Sequence, residues 1–229
     1  MRIPGLKHQT IGTLFDLVYL TLMTNLLLLV GCSPLVAGLV LTDPVRSWPL
    51  LALVAPLCAP AVCAAFAVLA DYSGTRSTAV ARTFVRAWAA TWKRAATAGA
   101  LTTGALVVLG VDIRLAWGKP IGAAAIPVLA VLMVLTAATA LLALVVLAEK
   151  PGVRVRDAAR ASVYLAVRHW YLTAVSFGVL VLLELLFTSR PAIALGLAAT
   201  PLLYVVWANS RFALRAALGP VPHLTHKKA

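Results

Sequence analysis

Apolar residues along this chain gather in six long runs. They cover about residues 17–41, 48–70, 95–111, 121–148, 171–187 and 192–208. A helix needs about 20 apolar residues to cross the hydrocarbon core of a bilayer, and each run is close to that length. The alternation that marks a transmembrane β-barrel strand is missing. The pattern predicts an all-α integral membrane protein with six transmembrane helices. Pro34, Pro56, Pro60 and Pro127 are expected to kink them, since each removes a backbone hydrogen bond.

Between the second and third runs the pattern takes a helical period. Counting from Val80, Phe84, Trp88 and Trp92 fall between about 40° and 120° on a helical wheel, and Arg82, Arg86 and Lys93 fall near 200–240°. Arg94 lies further round. An aromatic stripe opposite a basic one predicts a separate amphipathic helix in the plane of the cytoplasmic membrane interface. A shift of 78 residues aligns this loop with a second one. Asp71 meets Glu149, Gly74 meets Gly152, Arg76 meets Arg154, Ala81-Arg82 meets Ala159-Arg160, and Trp92 meets Trp170. In the second copy Ala158, Ser162, Val163, Ala166 and Trp170 form the apolar face, with Arg160 and Arg168 opposite. The prediction is one membrane domain, 1–229, holding an internal parallel repeat of units at about 48–111 and 121–187. A first span precedes the units. A sixth span and a basic tail, 209–229, follow them.

Composition narrows the class. Of 229 residues 62% are hydrophobic and 12% charged, about half the charged share of a soluble domain. A soluble enzyme, a disordered chain and a disulfide scaffold are excluded. The net charge of +13 arises from 20 Lys and Arg against 7 Asp and Glu. Sixteen of the 20 fall on one side of the six runs: at the N-terminus, in the loops after the second and fourth runs, and in the tail. Arg46, Arg114, Lys119 and Arg190 fall on the other. This bias places both termini in the cytoplasm. The charge is therefore a topology signal and a surface for anionic lipid headgroups, not a nucleic-acid site. The excess of Arg over Lys, with Ala and Val dominant, fits a high-GC bacterial source and a multi-pass protein of the cytoplasmic membrane.

Little in the chain suggests chemistry. There is no phosphate-cradling glycine loop with its Lys, so the chain cannot itself energise an importer. His8, His169, His223 and His226 lack partners for a metal. Ser176, between Val175 and Phe177, echoes a nucleophile elbow only faintly and lies inside a span. Cys32, Cys58 and Cys63 read as small apolar packing residues. Leu29-Val30-Gly31-Cys32 has the form of a lipoprotein cleavage box. Asp16 and Asn25 interrupt the run before it, however, and apolar residues continue to Leu41. The polar residues that matter most are those within spans, where burial is costly. Asn25 is expected to hydrogen-bond to another helix, with lining of a solute path as the alternative. Glu184 is expected to pair with Arg190 or to snorkel. No catalytic residue, cofactor or metal is assigned.

The stretch from Asn25 to Pro34 resembles the Asn…Pro signature of the YesL-like family of bacterial membrane proteins. The run Phe84-x-Arg86-x-Trp88, continuing to Trp92-Lys93-Arg94, resembles the aromatic and basic helix after that family's second span. Thr83 stands where that family usually carries an acidic residue. The resemblance covers roughly residues 14–215. It implies a six-span protein without established activity, found alongside sugar ABC importers. The expected function is a non-enzymatic accessory of a carbohydrate importer. Arg82, Phe84, Arg86, Trp88, Trp92, Lys93, Arg94, Arg160, Arg168 and Trp170 would serve as the interface for headgroups or for a permease or ATPase subunit. A second copy of the chain is a further partner on this reading. The alternative is a self-contained transporter or channel for a small solute.

Overall fold

The computed structural model describes residues 5–75, 79–120, 122–149, 156–157, 159–160, 162–163, 170–189 and 198–218. Their regular structure is helical throughout. Helix α1 is Gly5–Gly31 and α2 is Ser33–Leu41. Helix α3, Trp48–Val54, passes through a 3-10 turn, Ala55–Cys58, into α4, Ala59–Thr75. Helix α5 is Val80–Ala116, α6 is Gly122–Glu149, α7 is Trp170–Ser189 and α8 is Ala199–Leu218. Helix α8 carries on past the expected end of the sixth run, so residues 209–218 are helix rather than the start of a tail.

Among the described residues three helical segments are long and apolar enough to cross a membrane: Trp48–Gly74, Val80–Ala116 and Gly122–Glu149. A fourth is formed by Phe15–Gly31 with Ser33–Leu41, if that pair counts as one span despite its 68° bend. The bend falls where Pro34 occupies the first turn of α2 and withholds a backbone donor. Pro56 sits in the same way in the 3-10 turn. Pro127 lies inside α6, which is helical on both sides of it. Between α2 and α3 the chain turns over at Asp43, whose carboxylate accepts from the Val45 amide at 3.0 Å. This is the local hydrogen bond that makes Asp a turn residue.

The separate interfacial helix expected from the sequence is not formed. Residues 80–94 are the first four turns of α5, which continues without a break through the third apolar run. No proline or turn lies between Trp92 and Leu101, and Ala-rich sequence favours helix. Charge at Lys93 and Arg94 ends a hydrophobic run but does not end a helix. At about 1.5 Å per residue α5 is about 55 Å long, roughly 25 Å more than a hydrocarbon core. It ends in a tight turn at Gly118, whose φ of 77° is the left-handed value glycine adopts after a helix.

The core centres on α4, which packs against α1, α5, α6 and α8. Ala61, Cys63, Ala64, Ala65 and Phe66 are fully buried on it. A helix this rich in alanine has no bulky face, so neighbours can approach it from several sides. Phe66 is the largest fully buried side chain among the described residues. The apolar half of α5 is the opposite case. Only 6% of its most apolar stretch is buried, and Leu101, Val108 and Leu115 are at least 60% exposed.

Candidate functional site

The basic half of α5 carries the residues singled out above. Its buried positions are Val80, Phe84, Thr91, Ala95 and Ala98, a stripe of helical period. That stripe faces α4 in antiparallel register. The Thr83 hydroxyl donates to Asp71 Oδ2 at 3.1 Å, Thr91 hydrogen-bonds to Cys63, and Gly99 lies against Ala59 and Pro56. The aromatic stripe is therefore largely turned onto protein. Phe84 is in the core, and Trp88 packs at the core's edge. Trp92 is half-buried with its ring 4.8 Å from that of Trp88. Phe84 belongs to the same buried cluster as the small residues Ala61, Cys63, Ala64 and Ala65 of α4. Arg82, Arg86, Lys93 and Arg94 are exposed, so the basic face is free to meet phosphates or a partner.

The second basic segment is described in part. Ser162 is fully buried and Arg160 is exposed, on opposite faces as the wheel predicts. Arg168 lies outside the described residues. So do the side chains of Trp170, which opens α7, and of Glu184 within it.

A polar cluster closes the same end of the bundle. Arg211 on α8 pairs with Glu149 at the end of α6, Nε to Oε1 3.3 Å. Its Nη1 donates to Ser73 Oγ on α4 at 3.1 Å. Its guanidinium lies 5.0 Å from the Trp207 ring centroid, a cation–π distance. The Tyr204 ring lies 5.6 Å from that of Trp207, tilted by 40°. Arg211 thus joins the ends of the two helices that the 78-residue shift aligns. Sequence reasoning placed it in a tail and missed this role. Its only signal was helical spacing from Trp207. The Arg211 and Glu149 side chains are 31% and 26% exposed, so a modest pair energy is expected. A double-mutant cycle with Arg211→Met and Glu149→Gln, read by unfolding in detergent, should give a coupling of about 0.5–1 kcal/mol. Strict additivity would show that the pair contributes nothing.

Asn25 is 4% exposed and joins the first helix to the last. The Thr200 hydroxyl donates to Asn25 Oδ1 and lies 3.3 Å from the Thr21 carbonyl. The expected interhelical bond is present, with a partner 175 residues away. Beside it is an open cavity of about 650 Å³ lined by α1, α4 and α8. Thr21, Tyr72, Ser73, Thr200 and Tyr204 supply its polar atoms, and Leu17, Leu20 and Leu69 its apolar wall. Next to Asn25, the hydroxyl of Thr24 is fully buried with no hydrogen-bond partner among the described residues. Interhelical hydrogen bonds in membrane proteins contribute about 1 kcal/mol. Thr200→Val should cost about that much, and Thr200→Ser should cost little, in thermal unfolding in detergent. Equal behaviour of the two variants would rule the bond out as a stabilising contact.

Among the described residues no three His, Cys, Asp or Glu side chains gather as a metal site requires. Residues 18–113 match the family model "Protein of unknown function, DUF624". The match runs from within α1 to near the end of α5, so it takes in the 68° bend, the α4–α5 hairpin and the basic stripe. The Arg211 cluster and Thr200 lie partly or wholly beyond it. No curated protein and no solved structure matches the chain.

Proposed function

We propose that this chain is a YesL-like, six-span protein of a bacterial cytoplasmic membrane, with both termini inside. On this reading it is non-enzymatic and serves a carbohydrate ABC importer by docking laterally on its permease. The observation that carries the docking is the division of α5. Its basic half is held on α4 with Arg82, Arg86, Lys93 and Arg94 outward, and its apolar half, packed along α6, leaves Leu101, Val108 and Leu115 exposed on its outer side. Lipid tails alone satisfy such a face. Close helix–helix association in membranes also favours small residues, and Ala100 and Gly104 are exposed there, where a Cβ on Gly104 would point into open space. The carbohydrate assignment rests on the family resemblance, and the orientation on the distribution of basic residues.

Affinity purification of the full chain in mild detergent tests the docking. Permease or ATPase subunits should co-purify, and Gly104→Leu should release them while the protein stays folded. Recovery of neither component across several sugar conditions would overturn the proposal. The cavity beside Asn25 favours a second reading, a self-contained carrier for a small polar solute. Reconstituted alone into liposomes, an accessory protein moves no solute, whereas a carrier does.

A further inference from the structure

Three cysteines are present, and the fold treats them differently. Cys32 is the single residue between α1 and α2, at the 68° bend. Cys58 is the last residue of the 3-10 turn between α3 and α4. These two breaks are the two roots of one helical hairpin, made of α2, the turn at Asp43 and α3. The breaks sit side by side. A Cβ on Gly31 would come within 2.6 Å of Ala61 Cβ, so the α1 and α4 backbones are in close contact one residue before Cys32 and three after Cys58. The Cys32 and Cys58 thiols are near enough to interact with each other, and both are only half-buried. Cys63 is fully buried instead, with its thiol directed to the Leu144 carbonyl at 3.6 Å. Neither α2 nor α3 buries a residue, so the attitude of the hairpin depends on its roots.

The geometry points to a reversible thiol-modification site at these roots, where Cys32 and Cys58 close a disulfide across the base of the α2–α3 hairpin. The co-reactant is a disulfide, either of low molecular weight or carried by an oxidoreductase. One cysteine thiolate attacks a sulfur of that disulfide, forming a mixed disulfide and releasing the first thiol. The second cysteine then displaces the remaining thiol and completes the intrachain bond. Two electrons and two protons pass to the co-reactant, which leaves as two thiols, and a reducing thiol reverses the sequence. On the orientation proposed above, the Asp43 turn of the hairpin lies outside, where disulfides persist, and the two cysteines lie deeper, within the first two apolar runs. The pairing itself does not depend on that orientation.

The test uses the full chain in detergent. The protein is treated with 2,2′-dithiodipyridine, blocked with N-ethylmaleimide, denatured and cut with trypsin, which cleaves after Arg46 between the two cysteines. Peptides 8–46 and 47–76 should stay joined until reduced, and fragmentation should place the bond between Cys32 and Cys58. Cys63→Ser should retain the link, whereas Cys32→Ser and Cys58→Ser should each abolish it. Because the wild-type linked peptide is decisive alone, a variant that fails to fold does not obscure the result. A bond from Cys32 to Cys63, or two separate pyridylthio adducts with no linked peptide, would overturn the assignment.

Discussion

Phe66→Ala is expected to destabilise the folded chain in detergent by about 3–5 kcal/mol, the range for deleting a fully buried aromatic ring. The ring has no exposed surface and lies on the helix around which the others pack. Its companions on α4 are mainly alanines, which are too short to move into the space left behind. The loss should therefore sit at the upper end of the range, since the penalty grows with the cavity that remains. Phe212→Ala is the control. That ring is 62% exposed on α8, and its removal should shift stability by less than about 0.5 kcal/mol. Chemical or thermal unfolding of the two variants side by side measures the difference. Similar losses for both would mean that α4 is not the centre of the fold.

A second large effect concerns glycines, and its sign depends on position. In an exposed helix interior, Gly→Ala gains about 1 kcal/mol. At Gly99 the added Cβ would lie 2.7 Å from Ala59 Cβ and 3.2 Å from the Pro56 backbone. At Gly31 it would lie 2.6 Å from Ala61 Cβ. None of these neighbours is the flexible end of a long side chain, so the helices must separate. Gly99→Val and Gly31→Val should each lose about 1–3 kcal/mol, the usual cost of overpacking. Gly110→Ala meets nothing within 4 Å and should be neutral or stabilising. Thermal unfolding of the three variants gives the order directly. A stabilised Gly99→Val would show that α5 does not press on the 3-10 turn.

The apolar runs made much of this architecture legible, because long stretches without charge have few other uses. The bend at residue 32 was signalled by Pro34, and the burial of Asn25 by its place in an apolar run. The continuity of α5 was hidden. Lys93 and Arg94 interrupt hydropathy, and a hydropathy boundary was read as a structural one. The helical period from Val80 to Trp92 marks the face that is buried in the fold but carries no sign of what covers it. Lipid and an alanine-rich helix select for the same apolar stripe. Contacts set by tertiary structure left no local trace. Thr200 is 175 residues from Asn25, and Arg211 meets Glu149 and Ser73 only because three helix ends converge. Cys32 and Cys58 are likewise brought together by two helix breaks whose mutual approach no spacing rule predicts.

The unbroken course of α5 has a mechanical consequence. Gly99, clamped by Ala59 and Pro56, lies close to its midpoint and divides it into arms of about 28 Å and 26 Å. Rocking by about 10° about that fulcrum would swing the two tips roughly 5 Å in opposite directions. Such a tilt would have to part Thr83 from Asp71 at one end and slide α5 along α6 at the other. With no loop between its ends, α5 can answer a load at one tip only as a single rod, so its packing on α4 and α6 brakes both arms at once.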